Sequence, residues 1–125
     1  MRPNRFIKNS EYDTAIKAYA VDGVIKIPSR RHYSYDTYKL DFNVPDGYYL
    51  AQTIWRLNSG QWIQGDAPVL YERGNSDFFL RAISRQSKKN VFTAMAYAWA
   101  WGGGPSEVMP EFIVEVKAFF MKLPV

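Results

Sequence analysis

A chain of 125 residues with 47% apolar and 22% charged residues can close one globular domain around its own core, which excludes a disordered polymer. It has no cysteine, so disulfide staples, thiolate metal sites and a cysteine nucleophile are excluded. The formal net charge of +4 permits an anionic partner without demanding one.

Residues 1–22 read as an irregular N-terminal arm, and 23–125 as the folded domain. No window approaches the roughly 20 apolar residues of a membrane span. The opening "MRPNRFIKNSEYDT" lacks the apolar run of a signal peptide, so synthesis and retention in the cytoplasm are expected. Within the arm, "EYDTAIKAYA" (Glu11 to Ala20) admits a short helix.

Beyond the arm, alternation with period two recurs between turn residues. "GVIKIP" predicts a short strand from Val24 to Ile27. In "YDTYKLDFNV", Tyr38, Leu40, Phe42 and Val44 share one face, the pattern of a half-buried strand. "PDG" (Pro45 to Gly47) supplies turn chemistry before the strand "YYLAQTIWRL". "NSG" (Asn58 to Gly60) predicts a hairpin into "QWIQ", with its glycine in the left-handed region. "GDAP" breaks the chain before "VLYE", and "RGNSD" turns it again. "FFLRAIS" and "NVFTAMAYAWAW" are expected to face each other across a polar loop, "RQSKK". In the last strand, "EFIVEVKAFF", Phe112, Val114, Val116, Ala118 and Phe120 share a face. Seven or eight short strands without intervening helices predict an all-β, antiparallel β-sandwich.

"TAMAYAWAWGGG" (Thr93 to Gly104) alternates small residues, Ala94, Ala96, Ala98 and Ala100, with large ones, Met95, Tyr97, Trp99 and Trp101. Alternation by itself leaves the phase open. With the alanines inside, the rings form an exposed ridge; with the rings inside, the alanines form a smooth outer strip. Either surface invites a cover, a second body or a long loop of the same chain such as its N-terminal thirty residues, because monomers rarely expose apolar patches beyond a few hundred Å2. The glycines that follow read as a flexible crossover.

Catalytic and metal chemistry are poorly provided for. His32 is the one histidine and has no serine nucleophile motif near it. No HExxH or EF-hand spacing is present. Asp46, Asp66, Glu72 and Asp77 all fall where turns are expected, so no facing carboxylate pair emerges. The expectation is a non-enzymatic protein with no metal and no cofactor.

Two binding chemistries remain. Arg30, Arg31 and His32 lie near Tyr33, Tyr35 and Tyr38, and Arg81, Arg85, Lys88 and Lys89 form a second basic group. Twelve acids among sixteen basic residues break any continuous stripe, so nucleic acid is not the expected partner. The hairpin "TIWRLNSGQWIQGD" offers a sugar platform instead: Trp55 and Trp62 as stacking rings, with Asn58 and Gln61 to read hydroxyls. The alternative for either tryptophan is burial in the core.

The order "NRFIKNSEYDT", "GVIKIP", "VPDGYYLAQTIWRLNSGQW", "FFLRAIS" and an aromatic-rich strand resembles small β-sandwich virion proteins of tailed bacteriophages, in fibres, collars and tail tips. "DFFLRAIS" and "AYAWAWG" are similar to stretches of H-type lectin domains. The first resemblance implies a homo-oligomeric virion subunit of the tail or host-adsorption apparatus, with other virion proteins as neighbours. The second implies contact with a host-surface glycan. Phe6 and Tyr12 in the arm, with Tyr97, Trp99 and Trp101, are the candidate subunit contacts.

Overall fold

The computed structural model describes residues 18–31, 33–74, 77–101 and 108–122. They form ten strands, all paired antiparallel: β1 (Ala18–Ile27), β2 (Arg30–Arg31), β3 (Ser34–Asn43), β4 (Tyr48–Leu57), β5 (Ile63–Gln64), β6 (Val69–Arg73), β7 (Phe78–Lys88), β8 (Val91–Ala100), β9 (Val108–Met109) and β10 (Phe112–Lys122). Two four-stranded sheets, ordered β1-β10-β4-β5 and β3-β8-β7-β6, pack as an antiparallel sandwich, with a β2-β9 ribbon beside them. The number of strands exceeds the expected seven or eight because β2, β5 and β9 have two residues each.

The predicted inner faces are observed. Phe112, Val114, Val116, Ala118 and Phe120 of β10 are all buried, as is Val44, while Tyr38, Leu40 and Phe42 pack half-buried against the core. From the second sheet, Phe78, Leu80 and Ala82 of β7 and Phe92, Ala94, Ala96, Ala98 and Ala100 of β8 have no exposed surface. The alanines therefore lie inside. Small side chains on β8 leave room for large rings elsewhere in the core, as close packing requires. Trp55 and Phe120 from the first sheet are likewise fully buried, and Phe92 meets Phe120 edge to face at 5.5 Å.

One polar bridge crosses this core. Thr53 Oγ1 donates to the Gly65 carbonyl at 2.9 Å, so its contact with Ser84 Oγ at 2.7 Å has serine as donor. The same carbonyl accepts Trp55 Nε1 at 3.1 Å. Both hydroxyls are thus satisfied, which makes their burial affordable. At the other end, Gln86 Oε1 accepts the Leu50 amide and Gln86 Nε2 donates to the Lys89 carbonyl, tying β4 to the β7–β8 turn.

Several local expectations are corrected. Residues 18–20 of the possible helix are strand, and residues 18–22 of the supposed arm pair with β10 from Met121 to Lys117; the ladder supplies backbone partners that an isolated turn of helix could not match. Residues 85–88 of the polar loop extend β7, and Lys89 and Asn90 form a two-residue turn. Glu72 lies in β6 rather than in a turn. In the 58–60 hairpin, Asn58 (φ 51°) and Ser59 (φ 60°) take the left-handed conformations, closed by Gly60 N to Leu57 O at 2.9 Å. Two central residues at positive φ match the strand twist, the geometry of a type I′ turn, and that shifts the demand off the glycine. Gly47 does take positive φ, at 85°.

Candidate functional site

With the alanines inside, the outer face of β3-β8-β7-β6 carries the large residues of β8. Cross-strand register then adds rings from its neighbours: Tyr35 pairs with Trp99 on one side and Phe79 pairs with Trp99 on the other. The ring contacts run without a break, Tyr35–Tyr97 at 5.1 Å, Tyr97–Phe79 at 6.4 Å, Phe79–Trp99 at 6.1 Å, Trp99–Trp101 at 6.4 Å and Trp101–Tyr33 at 5.6 Å. Six aromatic side chains thus form one surface cluster. Tyr33, Tyr35 and Trp101 are its most open members, at 71%, 64% and 60% exposure.

The cluster has polar anchors without local partners. Trp99 Nε1 and Arg81 Nε are both shielded from solvent and donate to nothing among the described residues. Tyr97 is the titratable group most altered by the arrangement: its hydrogen bond with Tyr35, then burial, raise its pKa above the usual phenol range, with the Arg81 charge opposing. Tyr33 holds φ at 60°, unusual for a bulky residue, so local structure keeps an exposed ring in a strained backbone position.

Farther along the same face the chemistry changes. Lys39, Asp41, Ile83, Arg85, Ser87, Thr93 and Met95 line a shallow depression of about 230 Å3. Thr93 Oγ1 donates to Asp41 Oδ1 at 2.7 Å and meets Ser87 Oγ at 3.0 Å. Thr93 to Trp99 is six residues along β8, so the polar and aromatic ends lie about 20 Å apart.

The sugar platform expected at the hairpin is not assembled. Trp55 is fully buried, and this corrects its assignment as a stacking residue: it is core, with its indole nitrogen bound internally to Gly65. Asn58 is fastened to β10, its amide donating to the Ile113 carbonyl and its Oδ1 accepting the Ile113 amide. Gln61 is exposed. Trp62 is 39% exposed, but Arg56 lies 4.6 Å from its ring centre and Lys117 lies 5.6 Å away. Those cations belong to a satisfied network, since Arg56 grips Glu115 with two bonds of 2.9 and 3.0 Å.

The first basic group is also taken apart. Arg30 is buried, paired with Asp36 and Tyr38, and fastens the ribbon to β3. His32, Phe6 and Tyr12 lie outside the described residues. Among the described residues no three His, Cys, Asp or Glu side chains gather as a metal site, and no helix is long and apolar enough to cross a membrane.

Of the predicted contact residues, Tyr97, Trp99 and Trp101 come together. Tyr33, Tyr35 and Phe79 complete the cluster and were not visible as its members. Their signal is the parity of β3 and β7, which becomes informative once β8 is known to bury its alanines. Comparison with protein-family models, curated proteins and solved structures finds no match for this chain.

Proposed function

We propose that this protein is a non-enzymatic assembly subunit and that the six-ring cluster is where it meets a second copy of itself. The observation that carries the reading is the phase of β8: its alanines are buried and its rings face outward in contact with those of β3 and β7. A contiguous aromatic surface is what an interface core uses, because rings bury large apolar area with few rotatable bonds. The sequence resemblance to tailed-phage virion proteins supplies the setting, a subunit of the tail or host-adsorption apparatus.

Light scattering coupled to size-exclusion chromatography tests this. The protein is expected to elute at a small-integer multiple of 14.5 kDa. Trp101→Glu, at the most exposed indole, is expected to return it to the single-chain mass with an unchanged circular dichroism spectrum. A wild-type protein that stays at the single-chain mass at every concentration would refute self-association through this face.

A further inference from the structure

The depression at the polar end of the outer face brings two cations, one acid and two hydroxyls together beside Ile83 and Met95. Among the described residues, neither Lys39 nor Arg85 has a carboxylate partner, although both border the same hollow. Asp41, Thr93 and Arg85 stand in one row across β3, β8 and β7, with Thr93 in the middle. Thr93 gives its one proton to Asp41, and the single Ser87 proton is shared between Thr93 Oγ1 at 3.0 Å and the Val91 carbonyl at 3.4 Å. That leaves the second oxygen of Asp41 as a charged acceptor, while Arg85 and Lys39 are charged donors. Ile83 and Met95 form an apolar floor between them.

A ligand matched to this set has an anionic group for the two cations, hydroxyl donors for Asp41, and a C–H face for the floor. A bare phosphodiester meets the cations but brings no hydroxyl donor for Asp41, and a neutral sugar leaves both cations without an anion. A volume of about 230 Å3 is below the usual range for drug-sized ligands and suits one small ring. We propose that the depression is a subsite for one acidic sugar residue, a uronate or a sialate, of an anionic glycan. Its carboxylate bridges Lys39 and Arg85, and its hydroxyls donate to Asp41. The subsite is independent of the self-association reading, since it shares no residue with the ring cluster.

The test is a calorimetric titration with the methyl glycosides of glucuronate, galacturonate and N-acetylneuraminate, each beside its neutral methyl ester. At least one acid is expected to bind, and its ester to bind roughly tenfold more weakly, the usual loss for a charge-assisted hydrogen bond. Arg85→Gln and Asp41→Asn, both at exposed positions, are each expected to weaken the acid by about the same factor. Binding by none of the three acids would overturn the proposal, as would equal binding of acid and ester. Acetate or inorganic phosphate binding as tightly as the sugar would reduce the site to an anion patch. Tighter binding of oligothymidylate would assign it to nucleic acid instead. Repeating the titration with Trp101→Glu keeps the outcome separate from that of the assembly experiment.

Discussion

Trp55 separates a core from a binding surface in a single substitution. Its side chain has no exposed area and stands on β4 between Val116 of β10 and Ile63 of β5. Trp55→Ala removes the largest fully buried side chain and leaves a void that neighbouring strands cannot close, at a cost of about 3–5 kcal/mol. The lost indole hydrogen bond adds little, because the Gly65 carbonyl keeps Thr53 as a donor. Trp62→Ala, on the surface, forfeits chiefly its cation–π contact with Arg56, roughly 0.5–1 kcal/mol. Denaturant unfolding followed by circular dichroism is the assay, with melting temperature as a cross-check. At roughly 4 °C per kcal/mol for a chain of this size, Trp55→Ala lowers the midpoint by about 12–20 °C and Trp62→Ala by only a few degrees. A Trp55→Ala loss below about 1 kcal/mol, or one no larger than that of Trp62→Ala, would show that the ring is not core.

Three further outcomes follow from particular positions. A Cβ at Gly23 would sit 2.7 Å from Phe42 Cζ and 3.2 Å from both Leu40 Cδ1 and Val116 Cγ1; Gly23→Ala should therefore destabilise by about 1–3 kcal/mol in the same unfolding assay, and a neutral or stabilising result would refute this close approach. Ser59→Gly relieves a left-handed backbone at the hairpin and should stabilise by about 0.5–1 kcal/mol, whereas a loss of stability would mean that Ser59 is not strained. Because the Tyr97 pKa is raised in the folded state, its contribution is complete below the ordinary phenol range and disappears as pH rises through the folded value. Unfolding free energy should fall above about pH 10, less steeply in Tyr97→Phe, and an ultraviolet phenolate titration that shows no late-ionising tyrosine would refute the shift.

The fold class and most strand positions were legible because period-two alternation and turn chemistry are local. Phe112 to Phe120 and Tyr38 to Val44 could be assigned to one face each from spacing alone. The hairpin tryptophans could not. The β4–β10 ladder shifts register between Phe119 and Phe120, so Ala51 is the extra residue on β4. Tyr48 and Leu50 point inward before it, Thr53 and Trp55 after it, and no uniform alternation through "YYLAQTIWRL" places them all on one side.

The candidate site divides in the same way. The sequence by itself determined that β8 has a face of alanines and a face of rings, since side chains on a strand alternate whatever surrounds them. Which face is buried depends on what lies opposite, and only the packing of the two sheets decided that. Trp55, Phe120 and Val116 fill the interior of the first sheet, so β8 contributes its small side chains there and turns Tyr97, Trp99 and Trp101 outward. Register then brought Tyr35 and Phe79 beside them and placed Lys39, Asp41 and Arg85 around Thr93. Those neighbours pair across as many as 64 positions of the chain, from Tyr35 to Trp99, a relation carried by hydrogen-bonded pairing rather than by any local pattern.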